Sequence, residues 1–588
     1  MINNLKLDKT TEKNIKKWLR GKYDEETKAT INKLIEDGNV TQLTDSFYKN
    51  LEFGTGGMRG EIGVGSNRMN KYTVGAATQG LANYLNKTLV DKEEPIKVAI
   101  AYDSRNFSPE FAQITADIFS ANGIVAYLYP ELRPTPQLSF TVRELGCDAG
   151  IVITASHNPR EYNGYKAYWN DGSQVVAPHD KNIVDEVNAI SSVSKIKFRG
   201  VKKRLKKIQP ALDKKYLKAV KRICVSPGII RKQSDLKIVF SSIHGTGITM
   251  VPAALEQLGF KNVHIVEEQA KPDGNFPTVV YPNPEEKEAM SLSLKLAKEI
   301  DADLVMATDP DADRVGMAVK DPDGNWQLLN GNQAASLIVN YLLMAWKKSK
   351  KLQGKEFVAK TIVTTDLIDK LAMKAGVKCY NTLTGFKYIA QVIRELEGVE
   401  KFIGGGEESY GYLIGDEVRD KDAIAACAMI AELTAYAKHQ GLTLFDYLAE
   451  MYIKNGFYYE GLFSVTKKGK SGAEEIQKMM ADFRTNPPKS MAGSPVIRMD
   501  DYKSLIRTHL DTNQSEVIES GKRGIESSNV IQFFTKDGTK FTCRPSGTEP
   551  KIKFYVGVIG DLKSKDEFFS TMETLKEKVN SIKEELQL

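Results

Sequence analysis

The sequence TASHNP, at residues 154–159, places a hydroxyl, an imidazole and a turn directly after the apolar run AGIVI. In an open parallel sheet, ligands bind beyond the carboxyl ends of the strands, where this loop would lie. Ser156 is a weak nucleophile alone and needs a base, a metal ion or positive charge, which His157 and Lys166 can supply. The pattern indicates a catalytic serine; the alternative is an Asn-Pro turn with incidental polar neighbours.

The sequence DPDADR spaces three carboxylates two residues apart, at Asp309, Asp311 and Asp313. They follow an apolar strand-like run and would repel one another unless a cation binds. Oxygen ligands alone suit a hard ion, Mg²⁺ or Ca²⁺, and three of them leave room for a phosphate oxygen. An EF-hand is excluded because Arg314 and Lys320 occupy its glycine and glutamate positions. The alternative is an acidic surface turn.

Two further loops have the composition of a sugar phosphate site. In GGGEESYG, at residues 404–411, glycines allow a close backbone approach, and Glu407 and Ser409 can bind vicinal hydroxyls. In RPSGTEPKIK a guanidinium, two hydroxyls and a glycine amide can hold a phosphate dianion; these groups belong to Arg544, Ser546, Gly547 and Thr548. Plain turns are the alternative for both loops.

The elements around these loops alternate between strand-like and helix-like patterns. Runs such as IKVAIAYDSR and SPEFAQITADIFSANG predict a strand followed by a helix, and the order repeats in three similar units. Such alternation is typical of α/β layers. A single core stops growing near roughly 250–300 residues, so a chain of 588 residues should form several domains.

Composition and charge are ordinary for a globular protein. The net charge of +7, from 82 basic and 75 acidic side chains, slightly favours small anions and does not imply nucleic acid. The basic stretch KFRGVKKRLKK is more typical of a solvated linker or hairpin than of a nucleic-acid-binding arm. We therefore expect no nucleic-acid partner.

Cysteine spacing favours a reducing compartment, and hydropathy predicts no membrane-spanning segment. The five cysteines are widely separated and form no C-x-x-C pair, which argues against disulfides and a zinc site. No segment approaches about 18 continuous apolar residues, and the N-terminal stretch has no apolar leader. We expect a cytoplasmic protein with no membrane partner.

Taken together, the four loops resemble the α-D-phosphohexomutase superfamily, most of all its longer phosphoglucomutase members. The matching stretches are GTGGMRG, TASHNPREYNGYK, DPDADR, GEES with RDKDA, and RPSGTEPKIK. They occur in the family's order from residue 54 to residue 553 and so span most of the chain. The combination is far more specific than any one motif.

The resemblance implies the fold. The implied fold has three similar α/β domains with mixed sheets and a C-terminal α+β domain, in a heart-shaped four-domain architecture. We expect a helical N-terminal extension at residues 1–45 and domains at 46–206, 207–322, 323–454 and 455–588. In that order, the domains would carry the phosphoserine, metal-binding, sugar-binding and phosphate-binding loops.

The resemblance also implies roles for the site residues. Ser156 should carry a phosphoryl group, and Mg²⁺ should be held against it by Asp309, Asp311 and Asp313. The residues around the transferring phosphate would be Arg59, Lys166 and Arg314. The substrate would be bound by the hydroxyl readers Glu407 and Ser409, by the phosphate loop Arg544, Ser546, Gly547 and Thr548, and by Lys421 of RDKDA.

The implied activity is that of an intramolecular phosphotransferase, an isomerase of carbohydrate metabolism. Glucose 1-phosphate and glucose 6-phosphate would interconvert through a phosphoserine enzyme and glucose 1,6-bisphosphate. Tyr410 and Gly411 replace the GH that follows GEES in phosphomannomutase and phosphoglucosamine mutase relatives, which favours glucose phosphate. We expect sugar phosphates as partners, in a monomer or weak dimer.

Other functions stay open at this stage. Phosphopentomutase is one, because its members share the long helical N-terminal region, and phosphomannomutase is another. A serine- and metal-dependent phosphatase would need a second metal site, yet the remaining histidines are scattered singly. A non-enzymatic sugar phosphate sensor should have lost Ser156 or an aspartate of DPDADR, and both are present.

Overall fold

A computed structural model describes residues 5–54, 56–467, 469–518, 524–546 and 551–588. The chain divides into two compact units. Unit 1 comprises residues 1–318 and 415–431, and unit 2 comprises residues 319–414 and 432–588. None of the helices in the described parts of the chain is both long and apolar enough to cross a membrane. The cytoplasmic location stays a prediction.

Unit 1 begins with three helices, α1 (Lys9–Arg20), α2 (Glu25–Glu36) and α3 (Val40–Phe47). Carboxylates cap two of them: Asp8 accepts from the amides of the first turn of α1, and Asp24 does so for α2. The helices bury an aromatic cluster in which the rings of Trp18 and Tyr23 stack at 4.2 Å. Tyr72 packs edge-on against Trp18 and joins these helices to the next domain.

The first sheet of unit 1 has the strand order β1-β5-β4-β2-β3-β6. Strands β2, β3, β4 and β6 run parallel, and β5 is antiparallel to both of its neighbours, so the sheet is mixed. Its elements are β1 (Gly57–Glu61), α4 (Lys71–Thr88), β2 (Lys97–Tyr102), α5 (Ser108–Ala121), β3 (Val125–Leu128), α6 (Thr135–Glu144), β4 (Ala149–Ile153), β5 (Tyr162–Trp169), α7 (His179–Asn188) and β6 (Leu205–Lys207). The loop at residues 154–161 therefore joins the central strand β4 to its antiparallel neighbour β5.

The second sheet of unit 1 contains β10, β9, β7 and β8 in that order. Strand β7 is parallel to β8 and β9, whereas β9 and β10 form an antiparallel hairpin around residues 309–314. The elements are α8 (Ala211–Arg222), α9 (Pro227–Lys232), β7 (Ile238–Ser241), α10 (Val251–Leu258), β8 (Val263–Ile265), α11 (Glu267–Ala270), α12 (Lys287–Glu299), β9 (Leu304–Thr308) and β10 (Val315–Lys320). The carboxylates of DPDADR thus lie at the end of a fully buried strand.

Unit 2 contains a sheet of order β13-β12-β14-β15, in which β12 runs parallel to β13 and β14. Strands β14 and β15 form a hairpin around residues 407–411. The elements are β11 (Trp326–Leu329), α13 (Gly331–Lys348), β12 (Glu356–Thr361), α14 (Leu367–Ala375), β13 (Lys378–Thr382), α15 (Phe386–Glu395), β14 (Lys401–Gly406), β15 (Tyr412–Ile414), α16 (Ala423–His439) and α17 (Leu444–Asn455). The first half of α16 belongs to unit 1.

The C-terminal part of unit 2 is built mainly of antiparallel strands in an eight-stranded sheet. Its elements are β16 (Phe457–Thr466), α18 (Gly469–Thr485), β17 (Ser490–Met491), β18 (Ser494–Asp501), β19 (Ile506–His509), β20 (Gln514–Val517), β21 (Ile531–Thr535), β22 (Lys540–Pro545), β23 (Lys551–Gly560) and α19 (Phe568–Glu585). Mixed α/β sheets followed by this domain confirm the expected fold class. The domain boundaries and the heart-shaped arrangement stay predictions.

Candidate active site

Ser156 lies just beyond β4 in a strained and buried position. Its φ of 52° is in the left-handed region, which costs a residue other than glycine about 1–3 kcal/mol. The amide of Ser156 donates to Thr154 Oγ1 at 2.8 Å, and the side chain is 3% exposed. Such strain at a buried hydroxyl is typical of a functional loop.

The hydroxyl of Ser156 points at the acidic loop of the second sheet. Its Oγ donates to Asp309 Oδ2 at 2.7 Å and lies 3.3 Å from His157 Nδ1. Burial, and after it the positive charges of Arg314 and Arg59, lower the pKa of His157 well below its ordinary value. The imidazole is therefore neutral near pH 7.

The three aspartates of DPDADR form a buried cluster suited to a cation. One ligand atom from each lies within 4.8 Å of the others. Asp311 Oδ1 and Asp313 Oδ1 are buried and accept no hydrogen bond from the described residues. Burial, together with the charges of Asp311 and Asp313, raises the pKa of Asp309 well above its ordinary value. A hard dication would satisfy these oxygens and relieve the repulsion, so the residues fit a metal ion.

Two lysines reach the same carboxylates. Lys166 Nζ lies 2.7 Å from Asp311 Oδ2 and 3.1 Å from Asp313 Oδ2. Lys421 Nζ lies 3.2 Å from Asp313 Oδ2 and 3.0 Å from Asp420 Oδ1. Although burial acts in the opposite direction, these lysines and Arg314 hold the pKa of Asp313 well below its ordinary value. The site therefore combines concentrated positive and negative charge.

Sheet pairing places Lys166 and Arg59 near the serine loop, and Arg314 lies in the turn between β9 and β10. Lys166 on β5 pairs with Val152 on β4, shortly before Ser156. Arg59 on β1, the edge strand beyond β5, donates from Nη1 to Asn158 Oδ1 at 3.0 Å. Arg314 donates from Nη1 to Glu285 Oε1 at 3.0 Å. Arg59 thus contacts the loop that carries the serine, and Arg314 is close enough for its charge to lower the pKa of His157 in that loop.

Sequence reasoning missed several residues that hold this site together. Thr135, at the start of α6, donates from Oγ1 to Asp311 Oδ2 at 2.8 Å. Tyr168 donates to Asp420 Oδ2 at 2.7 Å and so braces the segment that carries Lys421. Arg105, in the sequence YDSR after β2, donates to carbonyl groups of the serine loop. A polar cluster at a strand end was the available signal for Arg105, whereas Thr135 and Tyr168 had no comparable signal.

In unit 2, Glu407 follows β14 directly. It is 6% exposed, its Oε1 accepts from the amide of Gly385 at 3.0 Å, and its own amide donates to the carbonyl of Gly411 at 2.9 Å. A Cβ on Gly405 would lie 1.9 Å from the carbonyl oxygen of Ala359, so the glycine run is needed for strand pairing. Ser409 is half-buried in the same hairpin loop.

The expected phosphate loop joins β22 to β23. Arg544 pairs with Lys553 across these strands, and the amide of Ser546 donates to the carbonyl of Lys551 at 2.7 Å. Gly547 and Thr548 lie outside the described residues. Burial, with the charges of Glu408 and Glu407, raises the pKa of Tyr555 to about 12, and Arg544 opposes the shift. Tyr555 therefore lies within electrostatic reach of both loops of unit 2.

The structure gathers the proposed site residues into two groups. The group in unit 1 consists of Arg59, Ser156, His157, Lys166, Asp309, Asp311, Asp313, Arg314 and Lys421. The described residues of the group in unit 2 are Glu407, Ser409, Arg544 and Ser546. The roles assigned to all of them from the sequence stay predictions.

Models of one family match most of the chain. The descriptions are phosphoglucomutase/phosphomannomutase, alpha/beta/alpha domain I for residues 50–194, domain II for residues 214–324 and domain III for residues 330–454. These three stretches contain the serine loop, the metal loop and the expected sugar loop.

Two phosphoglucomutases are similar over almost the whole chain. That of Staphylococcus haemolyticus is 37% identical over 545 residues, which is 92% of this chain and 95% of the relative. That of Staphylococcus aureus is 39% identical over 526 residues, 89% of this chain and 92% of the relative.

Solved structures support the fold. The open form of Paramecium pp63/parafusin, described as a phosphoglucomutase, matches with a TM-score of 0.67 at 18% identity, over 90% of this chain and 94% of its own. A phosphoglucomutase/phosphomannomutase family protein of Burkholderia thailandensis matches with a TM-score of 0.61 at 19% identity, over 90% and 97%.

Proposed function

The chain belongs to the phosphoglucomutase/phosphomannomutase family, and from this premise we propose that it interconverts glucose 1-phosphate and glucose 6-phosphate. Relatives that share 37% and 39% of their residues with it, over about nine-tenths of the chain, are phosphoglucomutases. The enzyme class is therefore that of an isomerase that transfers a phosphoryl group within the sugar phosphate.

One observation carries the mechanism: Ser156 Oγ lies 2.7 Å from Asp309 Oδ2, in a cluster of three buried aspartates. Ser156 is the phosphoryl carrier in this proposal. In the forward half-reaction the bond between phosphorus and Ser156 Oγ breaks as the sugar hydroxyl oxygen bonds to phosphorus; the sugar hydroxyl loses its proton, and the released Ser156 Oγ gains one. The second half-reaction reverses these bonds at the other end of the sugar.

The metal ion of the proposal is Mg²⁺, which Asp309, Asp311 and Asp313 would hold together with the phosphate on Ser156. When bound, it would supply positive charge beside the transferring phosphoryl group. The donor set supports this choice, because oxygen ligands and a phosphate suit Mg²⁺. The buried oxygens of Asp311 and Asp313 that accept no hydrogen bond are the natural ligand atoms.

The cations around Ser156 neutralise and orient the same phosphate. Phosphoryl transfer depends on positioning and charge stabilisation more than on covalent assistance. Lys166 and Arg314 flank the aspartates, and Arg59 is hydrogen-bonded to the serine loop. His157 stays neutral, so it can accept a hydrogen bond beside the transferring group without adding charge.

The residues of unit 2 bind the part of the substrate that does not react. Glu407 and Ser409 read sugar hydroxyls, and the phosphate that does not react is held by Arg544, Ser546, Gly547 and Thr548. Lys421, which belongs to unit 1, is a further phosphate contact in the proposal. Binding energy at that phosphate orients the sugar for transfer. Glucose 1,6-bisphosphate is the intermediate, and it must turn around so that either phosphate can face Ser156.

A coupled assay with glucose 1-phosphate, mannose 1-phosphate and ribose 1-phosphate tests the proposal. We expect the highest kcat/KM with glucose 1-phosphate. A preference for mannose 1-phosphate or ribose 1-phosphate would instead indicate a phosphomannomutase or a phosphopentomutase. Release of inorganic phosphate without isomerisation would indicate the phosphatase, which is disfavoured because a single acidic cluster with metal-ligand spacing occurs among the described residues.

A further inference from the structure

Arg105 is a fully buried arginine that the proposed reaction does not use. It follows β2 by three residues and is 1% exposed. Burial of a guanidinium is costly unless it is paired and hydrogen-bonded, so its contacts should have a purpose. Those contacts lead to the loop that carries Ser156.

The guanidinium donates to four carbonyl groups of that loop. Nη1 donates to the carbonyl oxygens of Pro159 at 2.8 Å and Tyr162 at 3.0 Å. Nη2 donates to the carbonyl oxygens of Ser156 at 2.5 Å and Asn158. One side chain therefore binds the backbone from Ser156 in the loop to Tyr162, the first residue of β5.

Arg105 is itself held in place from two sides. Its Nε lies 3.3 Å from Asp103 Oδ2, and its amide donates to Asp103 Oδ1 at 3.0 Å. The guanidinium carbon lies 5.1 Å from the centre of the Phe276 ring, which belongs to the second domain of unit 1. These contacts thus hold the donor groups in place from sides that the loop does not occupy.

We propose that Arg105 is a positioning residue that holds loop 156–162 in the conformation in which Ser156 Oγ reaches Asp309. The inference rests on the proposed function, because it assumes that Ser156 carries the phosphoryl group. Ser156 has a left-handed backbone, which the chain would not keep unless its surroundings imposed it. Hydrogen bonds at its own carbonyl and at three later carbonyls impose it.

Lysine is the decisive substitution at this position. Arg105→Lys keeps the positive charge, but an ammonium on a flexible stem cannot reproduce a planar fork that binds four carbonyl groups. We expect kcat to fall about 100-fold, the cost typical of a misplacement near 1 Å, with KM for glucose 1-phosphate changed less than about threefold. If Arg105 acted only through its positive charge, this variant would be nearly normal.

Arg68→Lys is the matched control. Arg68 also donates to two backbone carbonyls, those of Asp45 at 3.1 Å and Asn67 at 3.2 Å, and lies 3.3 Å from the carboxylate of Glu61; these three partners lie outside the serine loop. We expect its kcat to stay within about twofold of wild type. Equal losses of kcat in both variants would overturn the proposal, since they would reflect general destabilisation.

Hydrogen exchange reads the loop independently of turnover. The amides of Asn158 and Tyr162 are hydrogen-bonded within the loop, to the carbonyls of Ala155 and Pro159. In Arg105→Lys we expect these amides to exchange at least about tenfold faster, while those of β4 stay protected. Unchanged exchange together with unchanged kcat would overturn the proposal. Wild-type protein without mutase activity would overturn the proposed function instead, and the exchange result would still report on the loop.

Asp103→Asn gives a second route if Arg105→Lys does not fold. It leaves the four carbonyl contacts possible but removes the carboxylate that fixes the guanidinium. We expect faster exchange of the same two amides and a smaller loss of kcat, about tenfold. Wild-type exchange and wild-type kcat in this variant would overturn the proposal.

Discussion

The two halves of the proposed site are built in opposite ways. In unit 1 the serine and the three aspartates are at most 3% exposed, and lysines pair with the carboxylates at distances of 2.7–3.2 Å. In unit 2 Glu407 is also buried, whereas Ser409, Arg544 and Ser546 are half-buried. The serine and aspartates of unit 1 are organised by their own contacts, whereas three of the four described site residues of unit 2 are accessible to the ligand that, in the proposed mechanism, binds in two orientations.

The two groups of residues have different tasks in the proposed reaction. A group that transfers phosphate in both half-reactions benefits from rigidity, because the same atoms react each time. A surface that accepts either end of the sugar needs contacts that either end can satisfy. The following experiments test this division, beginning with the largest effect.

Ser156→Ala should lower mutase activity by more than about 1,000-fold, because the phosphoryl carrier is removed from a cooperating constellation. Intact-mass analysis of purified protein should show partial phosphorylation in the wild type that this variant lacks. Ser241→Ala is the control, since Ser241 is also a buried serine at a strand end, β7, but lies outside the site. Full activity in Ser156→Ala would contradict the proposal that Ser156 of unit 1 carries the phosphoryl group.

Metal removal should abolish turnover while leaving unit 2 intact. Chelation should stop the reaction and Mg²⁺ should restore it, because in the proposed mechanism the three buried carboxylates would hold the ion. At one hundred times its dissociation constant, Mg²⁺ should stabilise the folded protein by about 2.7 kcal/mol, measured as a rise in Tm. Asp311→Asn should weaken both effects. Turnover that survives exhaustive chelation would contradict the assignment.

Arg544→Ala should lower kcat/KM about 10- to 100-fold for glucose 1-phosphate and glucose 6-phosphate alike, as expected for one charge-assisted contact. Use of the two substrates should be weakened equally, because each presents its single phosphate to this loop in one half-reaction of the proposed mechanism. Arg507→Ala serves as control; Arg507 lies on the same sheet but pairs with Asp500 at 2.8 Å. A loss confined to one substrate would mean that the loop reads a fixed end of the sugar.

Effects on stability, and not on turnover, should appear in the pH dependence of Tm, with opposite signs in the two units. Burial raises the pKa of Asp422, in unit 1, to about 6. The folded state then binds more protons than the unfolded state between pH 4 and pH 6, so stability should fall on the order of 3 kcal/mol as pH rises through this range. Asp422→Asn keeps the acceptor for Tyr216 and should flatten this part of the Tm profile.

Asp366 in unit 2 provides the opposite case. Although burial opposes the shift, Lys540 and Lys360 lower its pKa to about 2. The folded state then holds fewer protons than the unfolded state, so the stability contributed by Asp366 is present above pH 4 and is lost as pH falls towards 2. Asp366→Asn should reduce Tm at pH 5 and weaken its acid dependence. If both Asp422→Asn and Asp366→Asn changed the pH dependence of Tm in the same direction, the predicted contrast between the two units would be wrong.

The sequence by itself determined the loops and their place in the fold. Alternating strands and helices predicted the α/β layers, and the positions of Ser156 and Asp309 after apolar strands predicted that both would lie at strand ends. These predictions succeed because strand periodicity and loop composition are local properties. The fold class and the family followed from motifs that are each only a few residues long.

Only the tertiary structure decided which side chains meet. Thr135 binds Asp311 across 176 positions of the chain, Arg105 binds the carbonyl of Ser156 across 51, and Lys421 reaches Asp313. Contacts of this kind depend on strand order, register and helix packing, which a local pattern does not specify. A buried arginine and a surface arginine look the same in sequence, and the difference arises when two sheets bury the groups between them.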